Sequence, residues 1–140
     1  MVQQASSFKQ SVESALGADN VVVDLQKVSD DDFQNITYFS DTAAARDYDI
    51  SGGGWAPDYQ DPSTYLESIS PVNGSVFYYL GIDAGSNNPA IATVGLDQYA
   101  NMLKDADAEL LDQGKRYEKY AAAQAWLTDS SITLPTVSNG

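Results

Sequence analysis

The chain has 140 residues, of which 43% are hydrophobic, and its 20 acidic against 7 basic side chains give a formal net charge of −13. A chain of this length is expected to form one domain with an ordinary core, and its negative charge argues against nucleic acid or an anionic membrane as a partner. Cysteine and histidine are both absent, which excludes disulfides, zinc sites built on thiolate or imidazole, and nucleophiles activated by histidine.

Helix and strand signals alternate at the beginning of the chain. Apolar residues recur on one face of residues 6–16 and predict an amphipathic helix. In residues 20–28, a run of β-branched residues is followed by alternating apolar and polar residues, and this pattern predicts a strand. Ser29 and the three aspartates after it predict a helix over 30–39, with Ser29 as its N-cap. The aspartates could be mistaken for a metal cluster, but the helix dipole accounts for acids in a first turn without a metal.

Residues 48–66 read YDISGGGWAPDYQDPSTYL and hold the most unusual local pattern. We expect a strand over 48–54 that runs into a ligand loop over 52–62. Three glycines leave the backbone of this loop bare, so another chain or a ligand can approach its N–H and C=O groups closely. Trp55 adds an aromatic wall and Asp58 a fixed acid. An ordinary flexible loop, with Trp55 in the core and the aspartates as turn formers, is the alternative.

The rest of the chain is mainly helical in pattern. One helical turn is expected from Ser63, followed by an irregular segment and then by helices over 95–112 and 115–128, with Gly114 between them. Residues 132–137 predict a short edge strand. The alternation of the first half favours an α/β fold with a small, mostly parallel sheet flanked by helices. Because ligands gather beyond the carboxyl ends of parallel strands, the ligand loop is well placed for binding.

Several motifs occur in an order that carries a family resemblance. They are Tyr48-Asp49-Ile50, Gly54-Trp55-Ala56-Pro57-Asp58-Tyr59-x-Asp61-Pro62, Arg116-Tyr117-x-x-Tyr120-x-x-x-Gln124 and Ile132-Thr133-Leu134-Pro135. Together they resemble the oligopeptide-binding proteins of ABC importers, the bacterial extracellular solute-binding proteins of family 5, and above all the lipid-anchored receptors of Gram-positive cells. Members of that family are several times longer and close two lobes over a peptide. The resemblance therefore implies that residues 1–140 are a single, partial, periplasmic-binding-protein-like lobe, the later part of the second lobe.

The resemblance also implies a function and a set of site residues. The backbone of Gly53, Gly54, Trp55 and Ala56 would pair with the bound peptide, and Asp58 would hold its α-ammonium group. Both roles are physically reasonable, because strand addition requires open main chain and a buried ammonium requires an opposite charge. The implied protein is no enzyme and needs no cofactor or metal. Its partners would be an oligopeptide and, through the full-length receptor, an ABC permease at the cell surface.

Membrane attachment is expected to come from outside this sequence. No apolar run approaches the ~20 residues of a membrane span and no signal peptide or lipobox begins the chain, so we expect no direct membrane insertion. By resemblance, the lipid anchor would lie on an absent N-terminal part. A strand between those near Val21 and Ile50 would be absent as well. Open sheet edges would then favour a homodimer or marginal stability.

Two other functions remain open from the residues alone. A glycoside hydrolase would use a pair of carboxylates, to be drawn from Asp58, Asp61 and Glu67. A surface module that binds a protein or sugar would use exposed aromatic side chains, with Trp55, Tyr59, Tyr78 and Tyr79 as the candidates.

Overall fold

A computed structural model describes residues 2–83 and 88–136, except for the side chain of Val2. Its α-helices are α1 (Val2–Leu16), α2 (Asp30–Ile36), α3 (Pro62–Leu66), α4 (Pro89–Thr93), α5 (Leu96–Asp107) and α6 (Gln113–Asp129). Short 3-10 helices occur at Ala43–Ala45, Glu67–Ile69 and Phe77–Leu80. The chain divides into two compact units, Met1–Phe39 and Ser40–Gly140. That residues 1–140 form a single lobe stays a prediction.

The predicted sheet is wrong, because the described residues contain no β-strand. Residues 20–28 and 48–54 are irregular, and so are residues 132–136, while Val137 lies outside the described residues. Alternating β-branched and apolar residues show that a segment suits a half-buried sheet surface. A strand forms only where a neighbouring segment pairs with its backbone. Within residues 2–83 and 88–136 no segment does so.

In the first unit, side chains of α1 bind the backbone of the predicted strand. The carbonyl of Val23 accepts a hydrogen bond from Lys9 Nζ at 2.5 Å, and its N–H donates to Glu13 Oε1 at 2.9 Å. Lys9 and Glu13 also form an ion pair at 2.6 Å. The hydrogen bond from Lys9 lowers the pKa of Glu13. Polar side chains thus satisfy backbone groups that a ladder would otherwise use.

The start of α2 confirms the predicted capping by Ser29. Its hydroxyl oxygen accepts a hydrogen bond from the N–H of Asp32 at 3.1 Å, and the three aspartates occupy the first turn. The helix ends at Ile36 rather than at residue 39. A helix N-terminus favours negative charge, so these acids have a structural explanation.

In the second unit, α5 and α6 pack against each other and carry most of the core. The buried apolar cluster consists of Leu66, Phe77, Ile91, Leu96, Tyr99, Leu103, Ala106, Tyr120, Ala123 and Leu127. Gly95 has a φ of +77°, and a Cβ added there would lie 3.0 Å from the ring of Trp126. Glycine is therefore required at this position twice over, by the left-handed backbone and by the close approach.

The break between α5 and α6 lies before Gly114 rather than at it. Gly114 is part of α6, and the helix begins after Asp112, whose carboxylate accepts a hydrogen bond from Lys115 N at 3.1 Å. The N-cap, rather than the glycine, therefore sets this boundary. No helix in residues 2–83 and 88–136 combines the length and the apolar character that crossing a membrane would need.

Candidate functional site

The ligand loop, residues 52–62, begins with an exposed and open backbone in the second unit. Residues 52–56 and residue 58 are exposed. No backbone N–H or C=O of residues 52–58 forms a hydrogen bond with another described residue. Because folded proteins normally pair such groups with protein or water, this stretch is free to pair with an added chain.

Tyr79 explains why a side chain would be crowded at one of the three glycines. A Cβ added at Gly53 would lie 3.0 Å from the Tyr79 ring, whereas at Gly52 and Gly54 it would meet nothing within 4 Å. None of the three has a positive φ, so a left-handed backbone is not the reason. Ser51 Oγ also donates a hydrogen bond to the carbonyl of Tyr79 at 3.1 Å. Within the loop, Gly53 thus packs against Tyr79, whereas Gly52 and Gly54 on either side face open space.

Trp55 and Asp58 both lie at the surface. The side chain of Trp55 is 39% exposed, and its indole N–H donates to the carbonyl of Thr64 at 2.6 Å. Asp58 is exposed and forms no hydrogen bond or ion pair with a described residue. The carboxylate of Asp58 can therefore receive a cationic group without breaking an existing pair.

Asp61 is engaged with Arg116, a contact that the sequence analysis missed. Arg116 donates from Nη1 and Nη2 to the two oxygens of Asp61, at 2.8 and 2.9 Å. Asp61 also caps α3, because its Oδ1 accepts from the N–H of Ser63 at 2.9 Å. The hydrogen bond from Arg116 holds the pKa of Asp61 well below its usual range. A carboxylate neutralised in this way is a poor candidate for a catalytic base or nucleophile.

Arg116 is itself held by Tyr120, one turn further along α6. Its guanidinium lies 4.7 Å from the centre of the Tyr120 ring, and Nη2 donates to the Tyr120 hydroxyl at 3.0 Å. That hydroxyl donates in turn to Asp107 at the end of α5. Burial, followed by the charge of Asp107, raises the pKa of Glu67. These groups form a polar cluster that joins α3, α5 and α6, and Asp58 forms no hydrogen bond or ion pair with it.

Two of the four motifs behind the family resemblance come together around this cluster. A groove of about 660 Å³ is lined by Gln60, Asp61, Pro62, Tyr65, Leu66, Tyr117, Tyr120, Ala121 and Gln124. The lining includes parts of both longer motifs, which are far apart in the sequence. The predicted site residues Gly53, Gly54, Trp55, Ala56 and Asp58 do not line the groove. The sequence does contain a signal for the contact of Arg116 with Tyr120, because residues four apart lie on the same helix face, but it contains none for the contact with Asp61.

The aromatic residues of the surface-module alternative differ in exposure. Tyr59 is 61% exposed, like Trp55 on the ligand loop. Tyr78 and Tyr79 are half-buried and lie against each other, with ring centres 4.5 Å apart. Only two of the four side chains are therefore presented freely to a partner.

Known proteins match the chain over almost all of its length. Oligopeptide-binding protein SarA of Streptococcus gordonii is 55% identical over 138 residues, which cover 98% of the chain and 21% of SarA. Oligopeptide-binding proteins AliB and AmiA of Streptococcus pneumoniae are 52% and 49% identical, over 99% of the chain and 21% of each relative. No family model matches the chain. The resemblance read from the motifs is thus confirmed, and the chain is homologous to one segment, about a fifth of the length, of streptococcal oligopeptide-binding proteins.

Proposed function

We propose that this chain forms part of the extracellular solute-binding component of an ABC importer, and that it contributes the peptide-binding surface of one lobe. The observation that carries the proposal is the exposed, unpaired backbone of residues 52–58. The identity to proteins named as oligopeptide-binding supports it. The partners are an oligopeptide and, through the full-length receptor, an ABC permease. A lipid anchor elsewhere in that receptor holds it at the cell surface.

The peptide is bound first through its backbone. Residues 53–56 offer N–H and C=O groups that have no partner among the described residues. Main-chain pairing of this kind gives affinity without reading side chains. A receptor that takes many oligopeptides needs that combination. Gly53 packs closely against the Tyr79 ring, since a Cβ added at Gly53 would lie 3.0 Å from it. The ring therefore supports this stretch of backbone from one side.

Asp58 then fixes the direction of the peptide by holding its α-ammonium group. Its carboxylate is exposed and has no described partner. Hydrogen bonds between ionised groups are roughly twice as strong as neutral ones, so this contact favours peptides with a free amino terminus. Trp55 lies three residues away and forms part of the wall of the pocket. No catalytic group, metal or cofactor takes part.

A chimeric receptor tests this proposal. The matching segment of AliB is replaced by this chain, and binding of an oligopeptide and of its N-acetylated form is measured by titration calorimetry. Asp58→Asn should lower the affinity for the free peptide by about tenfold or more, and the affinity for the acetylated peptide by far less. Asp97→Asn, at an exposed acid in the first turn of α5, is the matched control and should leave both affinities unchanged.

Equal losses for both peptides would contradict the role of Asp58. A chimera that binds no peptide, together with binding of glycans by the chain itself, would favour the surface module over peptide capture. Release of sugar products would favour the hydrolase.

A further inference from the structure

Residues 55–61 form the turn that carries Asp58, and hydrogen bonds to Thr64 close this turn at both ends. The indole of Trp55 donates to the carbonyl of Thr64 at 2.6 Å, across nine residues. The hydroxyl of Thr64 donates back to the carbonyls of Tyr59 and Asp61, at 3.1 and 2.9 Å. Asp58 lies inside this closed turn and has no described partner of its own. The backbone of the turn therefore sets the point from which the Asp58 side chain extends.

Hydrogen bonds link the closed turn to α5 and α6, the two longest helices of the second unit. Asp61 ends the turn and caps α3, and both of its carboxylate oxygens accept from Arg116 of α6. Arg116 is oriented by Tyr120, which also donates to Asp107 of α5. A chain of hydrogen bonds thus runs from α5 and α6 to the turn, and it reaches the turn through Asp61.

We propose that Arg116 is a positioning residue for the ammonium site, which acts on Asp58 through Asp61 and the closed turn. This inference rests on the proposed function. Binding sites require their groups to be held within about 0.5 Å by the residues behind them. Asp58 has no hydrogen bond or ion pair with a described residue to hold it directly, so the support has to come through the turn. The bidentate geometry selects arginine, because a lysine ammonium cannot bind both oxygens in the same planar fork.

Arg116→Lys in the AliB chimera tests the inference. The measured quantity is the ratio between the affinity for a free peptide and the affinity for its N-acetylated form. Arg116→Lys should lower this ratio by about tenfold, with little effect on the acetylated peptide. The matched control is Lys119→Met, since Lys119 also lies on α6 and pairs with Asp105 and Glu109. It should leave the ratio unchanged.

The possible results separate this inference from the proposed function. If Asp58→Asn abolishes the preference for the free peptide and Arg116→Lys does not, the positioning role is wrong and the proposed function stands. If Arg116→Lys lowers the affinities for both peptides equally, the role of Arg116 is structural and the inference fails. If Asp58→Asn itself has no selective effect, the proposed function fails and the inference fails with it.

A second measurement needs no receptor and no peptide. The indole N–H signals of Trp55 and Trp126 are recorded by NMR in the chain and in its Arg116→Lys variant. Trp55 should shift and exchange faster with solvent, because its bond to Thr64 depends on the fixed turn. Trp126, which stacks on Tyr99 with ring centres 5.8 Å apart, should stay unchanged. An unchanged Trp55 signal would overturn the inference.

Discussion

The ion pair between Asp61 and Arg116 should be worth far more than an ordinary surface ion pair. Its two hydrogen bonds are 2.8 and 2.9 Å long, and the side chains of Arg116 and Asp61 are only 21% and 23% exposed. Breaking a buried ion pair costs about 3–5 kcal/mol, whereas an exposed pair contributes at most about 1 kcal/mol. For this intermediate burial we expect Arg116→Met to lower the free energy of unfolding by about 2–3 kcal/mol.

Substitutions at Asp61 separate its two roles. Asp61→Asn keeps an oxygen that can accept from Ser63 N, so it should lose the ion pair and retain the cap of α3. Asp61→Ala loses both and should cost about 1 kcal/mol more. In a double-mutant cycle, Asp61→Asn and Arg116→Met should be coupled by about 1–2 kcal/mol.

Urea unfolding of the chain at pH 7 measures these values. The control is Asp105→Asn, because the contact of Asp105 with Lys119 is 3.3 Å long and the side chain of Asp105 is 67% exposed. Its effect should stay within about 0.5 kcal/mol. An effect of Arg116→Met as small as that of the control would refute the reasoning from burial and bidentate geometry.

The pH dependence follows from the lowered pKa of Asp61. A carboxylate whose pKa is lower in the folded state contributes its full stability above its unfolded pKa, near 3.9. That stability disappears as the pH falls through the folded pKa. The difference between the natural chain and Asp61→Asn should therefore be constant from pH 7 to about pH 5 and shrink below about pH 4.

The other predictions concern the polar cluster, the ligand loop and the isolated chain. Burial and the charge of Asp107 raise the pKa of Glu67. At a pH above the pKa of Glu67 in the folded state, its ionised form therefore destabilises the fold. At a pH below its pKa in the unfolded state, this effect is absent. Glu67→Gln should therefore raise the melting temperature at pH 7 and have no effect near pH 3. Gly53→Ala should weaken peptide binding by the chimera, because its Cβ would press on the Tyr79 ring, while Gly54→Ala, which meets no atom within 4 Å, should be tolerated better. The isolated chain should bind peptides only weakly in calorimetry, since affinity depends on two lobes that shut out water; micromolar binding would contradict this. Its many exposed large apolar side chains favour self-association, so light scattering should show a dimer. A strictly monomeric, highly stable chain would argue against it.

Local signals in the sequence predicted local structure well. Ser29 caps α2 as predicted, and α1 ends at Leu16, the last residue of the predicted helix. The two long helices lie where apolar residues repeat at three and four, although α5 ends at Asp107 instead of residue 112. Capping and periodicity depend on neighbours within one helix, so a sequence contains the information.

Contacts between distant segments could not be predicted in the same way. The residues at 20–28 have the composition of a strand, yet pairing needs a second segment, and Val23 instead binds side chains of α1. The contact between Arg116 and Asp61 was not predicted, because the two residues are 55 positions apart and nothing near Arg116 in the sequence indicates Asp61.

Amide hydrogen exchange in the chimera tests the central claim, that an oligopeptide pairs with the open backbone of the ligand loop. Exchange is followed with and without a saturating peptide. The account predicts that the N–H groups within residues 53–56, exposed and unpaired without a ligand, become protected when the peptide binds. Leu110 and Leu111, which are also exposed, should exchange at the same rate in both states. Peptide binding without any protection of residues 53–56 would contradict the account.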